Sequence, residues 1–412
     1  MTFRTRLGRV GFGIVVVVLM TTSAATAQTP GTSTLVPSPQ ALGMGGAAAA
    51  YPTARTALFY NPAHLTRLRI TRAPVTMLGF SASLSNNVSD QLDFYNNRLK
   101  PALETGIDNL DAETIQALYQ ETFEKGRAPT VLSGTLLLPS FVLNRGSYGF
   151  GGGIFAYTEW VYGVEEARAG VPGIDFTSLA DFMALASFGT DLAVVGVKGL
   201  SVGLTAKYAQ RLLTLKVKPV DAIDDDESFY VLGAGAAVVD LGLLYEVNLL
   251  PRPGTLYLGL AWSDLTLKNF DYTFQSYWEK REAVQDDAAI ATEVALAQER
   301  YQLSSSFRAG LAYVLPGLGG VFKETAFSLD YVRYGEAQVD QPLVRHLSLG
   351  LQTRLGNVFS VRAGLNQGYT TVGAGIQLAF ARFDYAFFGS AQGRLPGQPA
   401  NRHYLQLSLG SF

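Results

Sequence analysis

The chain has 412 residues, of which 48% are hydrophobic and only 16% are charged, and it contains 43 glycines and no cysteine. A soluble globular protein has about 25% charged residues and about 7% glycine, so this composition favours a chain that exposes apolar surface to something other than water. The missing cysteine excludes disulfides, thiolate metal sites and a cysteine nucleophile. A formal net charge of −2 gives no electrostatic reason to expect a nucleic acid partner.

The first 27 residues are predicted to be a cleaved secretory signal peptide. Three arginines precede an apolar run from Val10 to Met20, and Ala25-Thr26-Ala27 supplies a cleavage site. The apolar run is too short for a transmembrane helix. No later segment offers 18 consecutive apolar residues, so the exported chain could enter a membrane only as a closed β-barrel. The alternative is a large soluble periplasmic β-protein, and the strand pattern has to decide between them.

Residues 28–70 precede the first predicted strand and do not alternate between apolar and polar positions. They contain the small-residue runs Ala41-Leu42-Gly43-Met44-Gly45-Gly46-Ala47 and Ala57-Leu58-Phe59-Tyr60-Asn61-Pro62-Ala63. Glycine permits tight backbone packing, and Asn-Pro favours a turn. A compact segment of this kind, attached directly to a barrel, is predicted to be a plug, or hatch, inside the lumen.

Residues 71–412 show the period-two alternation of an outer-membrane β-barrel, in which lipid-facing apolar residues alternate with lumen-facing polar or small ones. In residues 346–355, for example, Leu347, Leu349 and Leu351 share one face. The pattern predicts an all-β, antiparallel transmembrane barrel of about fourteen strands, at residues 73–86, 129–143, 148–160, 185–197, 199–213, 229–247, 254–272, 300–315, 323–335, 346–355, 359–366, 371–380, 381–388 and 404–409.

The connections between the predicted strands alternate between short and long. Short links follow even-numbered strands, and most long ones follow odd-numbered strands, which is the arrangement of periplasmic turns and external loops in such barrels. Both chain ends are therefore predicted on the periplasmic side. The long links include residues 87–128, 161–184 and 273–299. Residues 91–125 and 276–300 carry helical apolar spacings, and they are either amphipathic caps over the barrel mouth or solvated helices without a binding role.

The run Gly43-Met44-Gly45-Gly46-Ala47, followed by Asn61-Pro62-Ala63, resembles the start of FadL-type outer-membrane transporters and is most similar to the PorV/PorQ branch of that superfamily. Weaker matches begin at Asp240, Arg362 and Asp384. The resemblance implies a 14-stranded barrel with an N-terminal hatch in the outer membrane of a diderm bacterium. It implies hatch or ligand-binding roles for Gly43, Met44, Gly45, Gly46, Asn61, Pro62 and Ala63. FadL-type members pass long-chain fatty acids or other hydrophobic molecules, whereas the PorV type assists type IX secretion.

Eight charged residues share the predicted lumen-facing positions of their strands. They either form a structural network of charge-assisted hydrogen bonds or line a polar pore. The eight are Lys207, Arg211, Arg308, Asp330, Arg354, Arg362, Arg382 and Asp384.

The last residue, Phe412, is the terminal aromatic expected to support barrel assembly. It is out of phase with the lipid-facing Leu405, Leu407 and Leu409. Either a bulge at Gly410-Ser411 resets the alternation, or Phe412 faces the lumen.

Motifs for chemistry are weak in this chain. Gly199-Leu200-Ser201-Val202-Gly203 matches a nucleophile elbow but continues into a predicted strand, where that chemistry does not work. His64, His346 and His403 are widely spaced, so neither a triad nor a metal site is predicted. The glycine run at residues 43–47 lacks the strand and helix of a dinucleotide loop. The acidic run at residues 224–227 is interpreted as a solvated loop, with divalent-ion binding as the alternative.

The sequence therefore predicts a non-enzymatic barrel without a cofactor, with outer-membrane lipid and the barrel-assembly machinery as partners. Two functions remain open: passage of hydrophobic small molecules, or docking of exported proteins and type IX secretion partners through the external loops. An outer-membrane hydrolase is a distant third.

Overall fold

The structure is a computed structural model. It describes residues 33–68, 75–106, 109–126, 129–168, 171–219, 229–247, 254–277, 287–317, 320–334, 342–390 and 400–411. No helix within these ranges is long and apolar enough to cross a membrane.

Fifteen strands of the described chain form one antiparallel sheet. They are β1 Val75–Ser85, β2 Thr130–Arg145, β3 Tyr148–Arg168, β4 Val171–Asp191, β5 Leu200–Pro219, β6 Tyr230–Val247, β7 Thr255–Lys268, β8 Thr273–Tyr277, β9 Ser306–Pro316, β10 Phe322–Tyr334, β11 Leu347–Leu355, β12 Phe359–Asn366, β13 Tyr369–Gln377, β14 Ala381–Ser390 and β15 Ala400–Ser411.

The sheet closes on itself into a barrel of fourteen strands. Strand β1 pairs with β15, β5 pairs with β6, and β7 pairs with both β6 and β9. The short strand β8 pairs with the first residues of β6 and is not counted among the fourteen strands of the barrel. The predicted fold class and strand number are confirmed. Closure gives each of the fourteen described ring strands a partner strand on both sides, which is the requirement for a sheet that lies in lipid.

The two ends of the barrel differ. At one end, called the turn end here, Val75 at the start of β1 pairs with Ser411 near the chain terminus. The short turns at residues 146–147 and 356–358 lie at this same end, because β2 and β11 run in the same direction as β15 and end there. The opposite end, called the loop end, carries the long connections.

The helices lie in two places. Helices α1 Pro39–Gly43 and α2 Ala54–Ala57, with a 3₁₀ turn at Pro62–Thr66, precede the barrel. The others lie at the loop end: α3 Val88–Phe94, α4 Lys100–Thr105, α5 Ala112–Gly126 and α6 Asp287–Arg300. The helical character predicted for residues 91–125 and 276–300 is therefore present in the described parts of the loops after β1 and β8, apart from Ser276 and Tyr277, which end β8.

The outer face of the barrel carries the predicted apolar positions. Leu349, Val361, Ile376 and Phe383 are 42%, 48%, 40% and 48% exposed, respectively. Their strand neighbours of opposite parity are buried towards the lumen, as at Arg362. The alternation read from the sequence is thus the alternation between outside and lumen.

One predicted loop was wrong. Residues 161–184 are strand over most of their length, because β3 and β4 remain paired as far as Arg168 and Val171. The predicted fourth strand at 185–197 therefore began too late, and it ended too late because Leu192–Val195 forms a 3₁₀ turn. Pro172 and Gly173 break the alternation there. Beyond the lipid belt neither face of a hairpin has to be apolar, so the period-two signal disappears while the hydrogen-bonded ladder continues.

The register change near the chain terminus lies on the neighbouring strand. The pairing of β1 with β15 shifts between Thr76 and Leu78, opposite Leu409 and Gly410, so the extra residue is Met77. Strand β15 itself pairs through Gly410 and Ser411 without an extra residue, so the bulge considered there, which would reset its alternation, is absent from the described part of β15. Phe412 lies outside the described residues.

We expect Ile376→Arg to destabilise the barrel by about 2–4 kcal/mol if the site lies near the bilayer midplane, because the guanidinium would face hydrocarbon. Folding titrations in lipid vesicles measure this cost. Gln116→Arg, at an exposed position of α5, is the control and should cost close to nothing. A negligible cost at Leu349, Val361, Ile376 and Phe383 alike would contradict the assignment of the outer face.

Candidate functional site

The N-terminal segment, residues 33–68, lies against the lumen-facing side of the strands. Local signals shape it: Pro39 begins α1, the Thr53 side chain caps α2, and the Asn61 side chain accepts a hydrogen bond of 3.0 Å from the Ala63 N–H. These short elements form a folded-back chain without a strand of its own.

A ring of glycines on the barrel wall receives this segment. Gly149, Gly189, Gly203 and Gly242 are successive cross-strand neighbours on β3 to β6. A methyl group built at Gly203 would lie 2.3 Å from the Pro62 carbonyl carbon, far closer than any real contact. The segment therefore packs its backbone directly on the backbone of the wall.

The ring continues around the other side of the barrel. Built methyl groups at three further glycines would come within 2.6 Å of segment atoms, at Ala49, Met44 and Gly45, respectively. These glycines are Gly259, Gly350 and Gly364. Within the segment, Gly45 and Gly46 have φ of 66° and 81°, a region that glycine adopts without strain. The sequence had placed Gly350 and Gly364 on the lumen face but had not shown what they contact.

Asn61 joins the segment to two strands at once. Its side-chain nitrogen lies 2.7 Å from the Ala49 carbonyl oxygen, 3.1 Å from that of Leu243 and 3.3 Å from that of Leu260. The side chain is fully buried. Pro62 and Ala63 follow it against Gly203. The predicted motif therefore lies on the wall of β5 to β7.

Asp330 fixes the middle of the segment. Its carboxylate accepts hydrogen bonds of 2.7 Å from the backbone N–H groups of both Ala48 and Ala49. Arg308 donates to the Gly46 carbonyl at 3.4 Å, and its guanidinium lies 5.3 Å from the centre of the Tyr60 ring. Two of the predicted charged residues thus bind backbone of the segment rather than line open space.

Lys207 belongs to a buried ionic group at the start of the described segment. Its ammonium lies 2.8 Å from Asp240 and 2.9 Å from Asp264. Asp264 also accepts hydrogen bonds from the Ser33 hydroxyl at 2.7 Å and the Thr34 N–H at 3.0 Å. Asp264 has a φ of 59°, at a point where the pairing of β6 and β7 is irregular. The irregularity turns its carboxylate towards the segment.

Arg362, Arg382 and Asp384 form a second ionic group, nearer the turn end. Asp384 accepts from Arg362 at 3.1 Å and from Arg382 at 2.7 Å. Arg382 also donates to Gln40 of α1 at 3.3 Å. Arg354 is half-buried and borders the cavity described below. The lumen charges of the described chain are mostly paired, which matches the structural-network interpretation more closely than a bare polar pore.

Burial sets the protonation state of the one histidine in the segment. His64 is fully buried between the Thr56 hydroxyl at 3.0 Å and the Ala49 carbonyl at 2.9 Å. Desolvation lowers its pKa to about 4, so the ring is neutral at pH 7 and donates from Nε2 to the carbonyl. His64 therefore acts as a structural hydrogen-bonding group.

A second segment enters the lumen from the loop end. Residues 269–277 and 287–303, called the inner loop here, bury Phe270, Tyr272 and Tyr301 against lumen-facing residues of β4 to β6. Arg211 pairs with Asp181 through two contacts of 2.7 and 2.6 Å, and its guanidinium lies 4.3 Å from the centre of the Phe270 ring. Arg211 thus holds the inner loop to the wall.

A cavity of about 1240 Å³ lies between the N-terminal segment and the turn end. One wall is apolar and includes Phe59, Leu137 and Phe155. The facing wall is polar and includes Arg354 and Gln352. The cavity is larger than the about 300–1,000 Å³ of typical small-molecule sites, so a small molecule fits, and its apolar wall suits a hydrophobic one.

The barrel wall is irregular beside this cavity. The register of β2 with β3 shifts between Leu137 and Ser140, and neither Leu138 nor Pro139 has a paired partner on β1 or β3. Proline has no N–H to give to a ladder. Phe141, next to this stretch, is 41% exposed on the outside and also borders the cavity.

The described residues hold no cluster of three or more histidine or acidic side chains suited to a metal ion. Ser201 of the elbow-like motif lies buried on β5, where it accepts a hydrogen bond of 2.7 Å from Thr66, and no helix follows it. The acidic run at 224–227 lies outside the described residues.

Comparisons with known proteins show a similarity in structure but not in sequence. No family model and no curated protein sequence matches the chain. The structure is similar to the Pseudomonas putida toluene transporter TodX, with a TM-score of 0.51 and 12% identity over 93% of this chain and 100% of that one. A deltaS2 mutant of TodX, described as a monoaromatic hydrocarbon channel, gives 0.50 and 12% over 91% and 99%. The Ralstonia pickettii toluene transporter TbuX gives 0.49 and 12% over 93% and 100%.

The chain has the fold of these channels. At 12% identity the TodX comparison establishes the barrel architecture and carries no residue roles.

We expect Gly203→Ala to lower the free energy of unfolding by about 1–3 kcal/mol, because the new methyl group would displace the backbone at Pro62. Urea titration of the reconstituted barrel measures the change. Gly163→Ala on β3 is the matched control, since nothing lies within 4 Å of a methyl group there. Equal stability of the two variants would show that the N-terminal segment does not rest on β5.

Proposed function

We propose that this chain is an outer-membrane channel for small hydrophobic molecules, and that residues 33–68 act as its plug. The observation that carries the proposal is the cavity of about 1240 Å³ with an apolar wall, directly below a segment that fills the middle of the lumen. The similarity in fold to toluene transporters supports it. The turn end would face the periplasm.

The proposed path of the ligand through the barrel is blocked at two places and has two exits. The inner loop closes the loop end, and the plug closes the middle. From the cavity a ligand can leave at the turn end, where Asn357 and Val358 border it, or sideways through the irregular wall at Pro139 and Phe141. A sideways exit suits an apolar ligand, because it avoids transfer into water.

The charge network supports a plug that is held in place by many contacts. Asp330, Asp264 and Arg382 each bind a different part of the segment. Hydrogen bonds to charged groups contribute about 1.5–3 kcal/mol each, so the plug would move as a unit only when several contacts are replaced.

Type IX secretion is the second candidate, and the sequence resemblance of Gly43-Met44-Gly45-Gly46 and Asn61-Pro62-Ala63 to PorV/PorQ proteins favours it. The external helices α3 to α5 and the β3–β4 hairpin would then dock exported proteins. Removing α3 to α5 should abolish protein export if this role holds. The same deletion should leave the binding of small apolar molecules unchanged under the channel proposal.

We expect deletion of residues 28–65 to leave a folded barrel with a raised permeability to small apolar solutes, because the segment fills the lumen without supplying a strand. Uptake into proteoliposomes measures the effect. Asp330→Ala removes the acceptor of the Ala48 and Ala49 N–H groups, and it should give a smaller rise. Unchanged permeability in a folded deletion variant would show that the segment is not the barrier.

We expect Leu137→Glu to weaken binding of the neutral apolar dye N-phenyl-1-naphthylamine about tenfold or more, since it buries a charge in the apolar wall; tenfold is about 1.4 kcal/mol. Fluorescence titration in nanodiscs, with empty discs subtracted, measures the dissociation constant. Gln377→Glu adds the same charge to the polar side of the same cavity and should change binding little. Equal effects of the two variants would place the dye elsewhere.

A further inference from the structure

The inner loop packs against the lumen side of β4 to β6 at the loop end through an apolar contact surface. Phe270, Tyr272, Tyr301 and Leu303 are buried, and they pack with lumen-facing residues such as Leu213 of β5. The Tyr301 hydroxyl also pairs with that of Thr177 on β4 at 2.9 Å. Helix α6 belongs to this loop and packs on β5, β6 and β8.

One carboxyl group on α6, that of Glu293, lies where its ionised form is unfavourable. Glu293 is half-buried in the closed loop, and its Oε2 is buried without a hydrogen-bond partner among the described residues. An ionised carboxylate in such a place has lost water without gaining a donor, whereas a protonated one costs far less to bury.

The charged surroundings of Glu293 are sparse. Of the elements packed on α6, β5 supplies Lys216, whose ammonium lies 5.5 Å from the centre of the Phe229 ring and 5.9 Å from that of Tyr230. Tyr230 is the titratable group of β6 at this level, and residues 273–276 of β8 carry no ionisable side chain. Lys216 is thus the one described cation that favours ionised Glu293.

We propose that residues 287–303 of the inner loop form an acid-closed lid, whose closed position is favoured while the Glu293 carboxyl is protonated and is opposed when that carboxyl ionises. The role of the lid in regulation rests on the proposed channel function. The movement of the lid with pH does not depend on transport. Opening would expose Oε2 to water and separate the Tyr301 hydroxyl from that of Thr177.

The direction of the pH dependence follows from linkage. Burial raises the pKa of the Glu293 carboxyl from 4.5 to about 7, and the nearby Lys216 acts against that rise. An open loop returns the group to water and to its ordinary range. The closed position therefore has its full stabilisation below about pH 4.5 and loses it as the pH rises through 7.

The test measures the position of the lid directly. The chain has no cysteine, so Ile154→Cys on the outer wall and Ala295→Cys on the exposed side of α6 can be spin-labelled without further changes. The distance between the two spin labels is recorded in nanodiscs from pH 5 to pH 8. We expect two populations, a short distance for the closed lid and a longer one for the open lid. The ratio of the long to the short population should rise about tenfold from pH 5 to pH 8. This is less than the full pKa difference would give, because the Glu293 carboxyl is partly solvated.

Two variants in the same labelled background identify the switching group. Glu293→Gln imitates the protonated form, so the lid should stay closed at every pH. Glu299→Gln changes an exposed glutamate on the same helix and should keep the wild-type response.

A distance distribution that does not change with pH would overturn the proposal, as would an unaltered response in Glu293→Gln. Dye binding to the cavity is measured separately on the same samples. A lid that responds in a barrel that binds no dye would leave this proposal standing and remove the proposed function instead.

Discussion

The close approach of two backbones is the constraint on which this structure depends. The N-terminal segment can enter the lumen only where the wall has no side chains, and the wall supplies glycines at successive cross-strand positions such as Gly189, Gly203 and Gly242. Any larger residue at Gly203 would overlap the Pro62 backbone. This requirement accounts for part of the high glycine content of the chain and sets where the segment crosses the barrel.

The polar groups of that buried segment need partners, and the lumen charges provide them. A folded-back chain has few internal ladder bonds, so its buried N–H and C=O groups would be left unsatisfied without partners from the wall. Asp330 accepts two successive N–H groups, and the Asn61 side chain donates to carbonyls of the segment and the wall. Buried charges such as Lys207 are in turn paired with carboxylates, since an unpaired buried charge is strongly destabilising.

These contacts make the two halves of the lumen different. Towards the loop end, the inner loop packs Phe270 and Tyr301 into the space above the segment. Towards the turn end, the space remains as a cavity with one apolar wall, beside a stretch of β2 that Pro139 leaves unpaired. The proposed channel and the proposed lid both follow from this division: the proposed ligand site lies below the N-terminal segment, and the proposed lid lies above it.

The sequence by itself determined the barrel, because lipid imposes on every strand a local alternation of apolar and polar residues over about ten positions. Positions such as Ile376 and Phe383 could therefore be assigned to the outside without a structure. It also placed Gly350, Arg362 and Asp384 on the lumen face. The β3–β4 hairpin was missed because its residues lie where lipid no longer selects alternate residues. Which lumen residue meets which part of the segment was decided only by the tertiary structure. Contacts such as Asp330 with Ala48, or Gly242 with Asn61, join residues far apart in sequence, and their partners depend on how the closed sheet brings its strands around one folded-back chain.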